Sequence, residues 1–249
     1  MRSAAFLYAA LLAVLPQVQP RYCGEQKMPH DQVAPFPEKE PKSFTECAAH
    51  KYNPTLHISH GCSPYPAVNI DGMVSGGLKA TGKANGNCAG AALGDQVYAR
   101  SMWKYHHWAI MYAYFFPKDS VVSGKGHRYD WEWVVIWLNN PDVNVSRIEA
   151  VSVLGREVER YNFVDIDPKY FADGVPQLEY EAHGDRHFVT LSTDIGRSPD
   201  LVVWHEMSDH ARCALNKHGW NENELMPMSD DKFEKNLERA WNAKLRSAK

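Results

Sequence analysis

Gly126-His127-Arg128-Tyr129-Asp130-Trp131-Glu132, followed at once by Trp133-Val134-Val135-Ile136-Trp137-Leu138, decides how this 249-residue chain is read. The first seven residues place an imidazole, a guanidinium and two carboxylates among aromatic rings, and the next six form an apolar strand. Charged groups so close to a core are costly unless they are paired or hold a cation. With a strand starting near Tyr129, alternation sends Asp130, Glu132, Val134, Ile136 and Leu138 to one face. Trp131, Trp133, Val135 and Trp137 go to the other. Gly126 can adopt dihedrals closed to other residues, which lets His127 swing toward the carboxylates.

Upstream, Pro117-Lys118-Asp119-Ser120 ends a second apolar run and supplies a third carboxylate from the facing loop. Three carboxylates and one imidazole form an oxygen-rich set that suits Mg²⁺, Ca²⁺ or Mn²⁺ better than zinc. The same residues are equally compatible with an ion-pair network centred on Arg128 that closes the strand end.

Outward from this stretch, Met1-Arg2-Ser3 precedes an uncharged run from Ala4 to Leu15 and then Pro16, the layout of a secretory signal peptide. We assign residues 1–20 to it, with cleavage between Val18 and Cys23, and expect a soluble extracellular protein. No other segment approaches the length of apolar chain that a membrane helix needs. Residues 21–45, with Pro29, Pro35, Pro37 and Pro41, read as an extended arm, and 46–249 as one domain. The net charge of −3, without a basic stripe, argues against nucleic acid as a partner. Asn144-Val145-Ser146 is an N-glycosylation sequon.

Strands are expected at 56–59, 96–102, 107–116, 129–138, 147–154, 187–192 and 201–204, where Val, Ile, Tyr and Trp concentrate. Helices are fewer. One is expected over 208–215, and another is capped by Ser229, with Asp230 and Asp231 in its first turn and Phe233, Leu237, Ala240 and Trp241 on one stripe. Runs of strands without regular βαβ alternation predict a mainly β protein, a β-sandwich with flanking α-helices.

Five cysteines, an odd count for a secreted chain, leave at least one free or lost with the signal peptide. Cys62 and Cys88 flank a glycine-rich stretch with little core, and joining them would remove unfolded-state entropy worth ~3–4 kcal/mol. Cys23 and Cys47 can pair if Cys23 survives processing, and Cys213 is the expected unpaired thiol.

Two other clusters fail as metal motifs. In His205-Glu206-Met207-Ser208-Asp209-His210 the second histidine comes one residue too late for H-E-x-x-H. His106 and His107 are adjacent on a predicted strand and point to opposite faces. No nucleophile elbow is present, and nothing nominates a covalent catalyst, so a non-enzymatic reading is preferred.

Gly126 to Glu132 is one substitution from GHRHDWE, the heptapeptide of the necrosis- and ethylene-inducing-peptide-like proteins (NLPs). Ala109-Ile110-Met111-Tyr112-Ala113-Tyr114-Phe115-Phe116-Pro117-Lys118-Asp119 resembles that family's AIMYxWYFPKD signature. Leu56 to Cys62 with Tyr65-Pro66-Ala67-Val68 is similar to its LHIxxGCxPYPAV block. Further likeness at Leu201 to Trp204 and Ala211 to Leu215 extends the resemblance over about residues 50–245. It implies an actinoporin-like and lectin-like β-sandwich, secreted into the host apoplast, that damages eudicot plasma membranes by binding glycosylinositol phosphorylceramide head groups. It further implies a divalent cation, Mg²⁺ or Ca²⁺, held by Asp119, His127, Asp130 and Glu132, with His187 and Arg128 lining the site, and the type 1 disulfide Cys62–Cys88. The Ala109 to Arg128 segment resembles the peptide that plant leucine-rich immune receptors sense.

Tyr129 stands where the family usually has histidine. By alternation it faces away from Asp130 and Glu132, where its ring can pack and its hydroxyl find a partner. Three rival readings are a non-cytotoxic NLP acting as an immune pattern, a harmless secreted lectin, and a metal-dependent hydrolase with Glu132 or His187 as base. The expected solution form is a monomer.

Overall fold

A computed structural model describes residues 23–154, 161–164, 167–221 and 225–247. The segment assigned as a signal peptide lies outside the described residues.

The two long apolar runs of the sequence form the centre of the molecule. In chain order the elements are β1 (Lys27–Met28), α1 (Phe44–Lys51), β2 (Thr55–Ile58), β3 (Val74–Ser75), β4 (Gln96–Lys104), β5 (His107–Asp119) and β6 (His127–Leu138). Then come β7 (Ile148–Leu154), β8 (Tyr161–Val164), β9 (Phe171–Ala172), β10 (Val175–His183), β11 (Arg186–Leu191), β12 (Asp200–Val203), α2 (Asp209–Lys217) and α3 (Phe233–Ser247). A six-stranded sheet runs in the order β12-β4-β5-β6-β7-β8. A smaller sheet runs β11-β10-β2, with β9 on β10. Both are mixed, because β12 joins β4, and β2 joins β10, in parallel.

Both faces of β6 are covered, which is why its sequence is nearly continuously apolar. Even-numbered residues face the smaller sheet, and Phe116, which pairs with Asp130, stacks on Tyr180 of β10 at 3.8 Å. Odd-numbered residues face an aromatic layer in which Trp131 meets Trp220, and Trp137 meets Trp241 of α3. Trp137 donates its indole N–H to the Ser152 hydroxyl at 2.9 Å, satisfying the one polar atom that this ring carries into the core. The architecture is a β-sandwich with flanking helices, as the pattern of strands predicted.

Several expectations need correction. The disulfides join Cys62 to Cys88 and Cys23 to Cys213, and the free cysteine is Cys47 on α1. Cys213 is therefore not the unpaired thiol. Through its disulfide, α2 anchors the first described residue, and Gly24 lies against the Ala214 backbone. The proline-rich segment packs against the domain. Val33 and Phe36 are buried, and the Phe36 backbone exchanges hydrogen bonds with the buried Gln96 side chain. The arm leads into a helix that the sequence reading did not place. Ser43 caps α1 by accepting the Glu46 N–H, and the Glu46 carboxylate accepts the Ser43 N–H in return.

Ser229 does not act as a side-chain cap. Its backbone carbonyl takes the Lys232 and Phe233 N–H groups, while its buried hydroxyl has no partner, and α3 starts at Phe233. Asn144 is exposed on the loop between β6 and β7.

Candidate functional site

β5 continues past Phe116 to Asp119, so Asp119 sits on the strand, opposite His127, and not on a facing loop. The strand pair thus delivers Asp119 and His127 from one end and Asp130 and Glu132 three and five residues further in. Strict alternation would put His127 and Asp130 on opposite faces. The backbone reverses at Tyr129, whose φ is +63°, and at Gly126, whose φ is +95°. At Gly126 an added Cβ would strike the Asp119 carbonyl, so only glycine fits.

Asp119, His127, Asp130, Glu132 and His187 all line one cavity of about 500 Å³. The three carboxylates are nearly inaccessible, at 3%, 8% and 7% exposure in sequence order. No lysine or arginine pairs with any of them among the described residues. Asp119 Oδ1 accepts from His187 Nδ1 at 2.5 Å, and Asp119 Oδ2 lies 3.9 Å from His127 Nε2. Tyr180 donates its hydroxyl to Asp130 Oδ2 at 2.7 Å, and the Val189 N–H serves Glu132. Burial, reinforced by the nearby Asp119 charge, raises the Asp130 carboxyl to about 6, with Tyr180 opposing. Burial and Asp130 push Glu132 well above the ordinary carboxylate range.

A column of rings supports these groups. Phe116 stacks on Tyr180, Tyr180 on His187 at 4.7 Å, and His187 on His60 at 5.1 Å. With His187 donating from Nδ1 to Asp119, its Nε2 accepts from His60 Nδ1 at 2.8 Å. Gly61 closes the column from behind, since a Cβ there would lie 2.7 Å from His187 Nε2. Tyr180, His60 and Gly61 were not singled out as site residues. The period-2 pattern of Leu178, Tyr180 and Ala182 against Glu179 and Glu181 carried the signal for the strand that bears Tyr180.

Arg128 does not line the cavity. Its guanidinium donates to the Gly76 carbonyl and pairs with no carboxylate among the described residues, so no Arg128-centred ion network closes the strand end among them. Tyr129 packs its ring against Gly77, Phe115 and Trp220, on the side away from Asp130 and Glu132. Its hydroxyl is buried without a partner, contrary to expectation. His205 is exposed and bonded to Glu46, away from the cavity.

The family model described as Necrosis inducing protein (NPP1) matches residues 46–240. The chain belongs to this family. A relative from Phytophthora capsici, NLP effector protein 2, is 42% identical over 215 residues, 85% of this chain and 86% of the relative. Among solved structures, the non-toxic HaNLP3 protein is 38% identical with a TM-score of 0.81, covering 85% of this chain and 98% of that one. NLPPya in complex with mannosamine is 33% identical with a TM-score of 0.79, covering 86% and 98%. The chain thus shares the fold of an effector family that includes both sugar-bound and non-toxic members.

By its chemistry the donor set suits a divalent cation, although no three of its ligand atoms lie within 4.8 Å of one another. Three buried carboxylates that pair with no lysine or arginine among the described residues leave negative charge that a hard ion would neutralise. Asp119, His127, Asp130 and Glu132 would hold it, and it would supply open positions for hydroxyl oxygens. Around them Trp220, Asn221, Asn236 and Arg239 offer a ring face and polar groups at the cavity wall.

Proposed function

We propose that this NLP is a secreted cytolytic effector that binds the sugar head group of plant glycosylinositol phosphorylceramide through a divalent cation, Mg²⁺ or Ca²⁺, at Asp119, His127, Asp130 and Glu132. The observation that carries this reading is the buried carboxylate cluster, paired with no lysine or arginine among the described residues, at the floor of an open cavity walled by indole and amide groups. A neighbour of the same fold binds an amino sugar, which supports a carbohydrate ligand. Each head group is held weakly through few contacts, so many copies in a membrane retain the protein by avidity.

The chain's own residues divide the work. Tyr180 and His187 fix two carboxylates in orientation, with the stacked rings of Phe116 and His60 supporting them. His127, with Nδ1 against the Tyr129 carbonyl at 2.7 Å, turns Nε2 toward the cavity. Exposed plant cells would then lose membrane integrity, and the Ala109 to Arg128 segment would be sensed by leucine-rich immune receptors.

A second reading, a non-cytotoxic NLP acting as an immune pattern, is favoured by the 0.81 TM-score to a non-toxic member. Infiltration of purified protein and its Asp130→Ala variant into a eudicot leaf, with dye release from vesicles containing the sphingolipid, separates them. Leaf death and leakage with wild type alone support the cytolysin. Equal leakage from both proteins refutes the cation site. Head-group binding without leakage or death selects the second reading.

A further inference from the structure

We infer that His57, Glu179 and Asp194 form a second divalent-cation site, suited to Zn²⁺, on the outer face of the four-stranded sheet. Each offers one ligand atom, and the three atoms lie within 4.8 Å of one another, the only such grouping of three among the described residues. Ligands about 2.0–2.2 Å from one ion stand roughly 3–4 Å apart, so small side-chain rotations would complete the set.

Backbone geometry, not chance proximity of side chains, brings them together. His57 and Glu179 are direct partners in the parallel pairing of β2 with β10, so they share a face of the sheet. The flanking pair, Leu56 and Leu178, points into the core. Asp194 comes from the turn after β11, which is fastened to β2. The Leu56 N–H donates to the Arg197 carbonyl at 2.9 Å, and the Arg197 N–H returns to the Leu56 carbonyl at 3.3 Å. Between them Gly196 lies directly on the Leu56–His57 peptide, where a Cβ would come within 2.2 Å of the His57 nitrogen. No other residue fits there, so the distance from Asp194 to His57 is set by a main-chain contact. Ser192 braces the other two ligands. Its hydroxyl donates to Glu179 Oε2 at 3.2 Å and accepts the Asp194 N–H at 3.0 Å.

Electrostatics argue in the same direction. Neither Glu179 nor Asp194 pairs with a lysine or arginine among the described residues, and the turn's own Arg197 is engaged by Asp95. Two carboxylates held together without a counter-charge repel each other, and a cation relieves that repulsion. One imidazole with two carboxylates is a mixed nitrogen and oxygen set, which suits zinc where the oxygen-rich cavity suits a harder ion. Asp194 is exposed, so water can occupy the remaining positions.

The test is Zn²⁺ binding to the chelator-stripped protein by calorimetry, with Co²⁺ substitution read by its visible absorption. Wild type and Asp130→Asn should bind one equivalent more tightly than His57→Ala, and Asp194→Asn should weaken that binding by at least about tenfold. The Co²⁺ bands should disappear in His57→Ala. Asp194 is exposed, so its variant tests the site even if His57→Ala fails to fold, and equal metal-free melting temperatures verify this. Zn²⁺ affinity and Co²⁺ spectrum unchanged in Asp194→Asn would overturn the assignment.

Discussion

Replacing Asp130 by asparagine should stabilise the cation-free protein while abolishing its response to Mg²⁺ or Ca²⁺. In the fold the Asp130 carboxyl is raised from 3.8 to about 6, by burial first and the Asp119 charge second. The folded protein therefore binds more protons than the unfolded chain between these values. The ionisation cost is absent below 3.8, grows as pH rises through about 6, and is complete at neutral pH, where it amounts to ~3 kcal/mol. Asparagine carries no charge, yet its carbonyl oxygen can still accept from Tyr180 at the position that Oδ2 now occupies. It also removes one of the charges that raise Glu132. At roughly 2–4 °C per kcal/mol for a domain of this size, the variant should melt up to about 10 °C above chelated wild type at pH 7. That advantage should vanish near pH 3.5. Added Mg²⁺ or Ca²⁺ should then raise wild type and leave the variant unmoved. Thermal melts at the two pH values, with and without chelator, read all four quantities. A variant less stable than chelated wild type at pH 7, or one whose advantage persists at low pH, would refute the electrostatic account of the site.

Three further perturbations separate the supports of the cavity. Gly61→Ala places a Cβ 2.7 Å from His187 Nε2 at a φ of +92°, so it should cost about 2–5 kcal/mol and weaken cation binding by displacing His187 from Asp119, both read from melts with and without cation. Tyr129→Phe removes a buried hydroxyl without a partner and should leave stability unchanged or raise it by about 1 kcal/mol in denaturant titration, with cation response intact. Cys213→Ser opens a disulfide that closes 190 residues of sequence and should lower stability by about 2–5 kcal/mol under non-reducing conditions, an effect that reducing agent should reproduce in wild type.

The parts of the fold legible in the sequence are those in which side-chain period and chemistry agree. β5 and β6 read as strands because β-branched and aromatic residues fill them, and Asp130 and Glu132 fell on one face because period 2 requires it. The pairing of Cys213 was not legible, because a disulfide depends on where β12 and α2 carry the chain relative to residue 23, and spacing does not encode that. Some signals were present and went unread. Ser43 with Glu46 is a capping box, and Leu178, Tyr180 and Ala182 alternate with Glu179 and Glu181. Pro29, Pro35, Pro37 and Pro41 favour a reading of extended chain just before the capping box.

The placement of His127 carries a different lesson, because it rests on a violation of the pattern by which the strand was found. Period 2 separates residues 127 and 130, and only left-handed backbone at Tyr129 returns the imidazole to the side of the carboxylates. A bulky residue in that conformation costs of order 1–3 kcal/mol and persists only when its surroundings hold it. Here they do: the Tyr129 ring fits against Gly77, itself at φ +57°, where a Cβ would lie 2.6 Å from the ring, and Trp220 covers its edge at 5.4 Å. The side chain at 129 thus serves the site at the cavity wall, by packing against Gly77 and Trp220. That packing explains why tyrosine can stand where the heptapeptide usually has histidine. The position demands a ring that fills the Gly77 pocket and tolerates positive φ, and the chemistry is left to its neighbours.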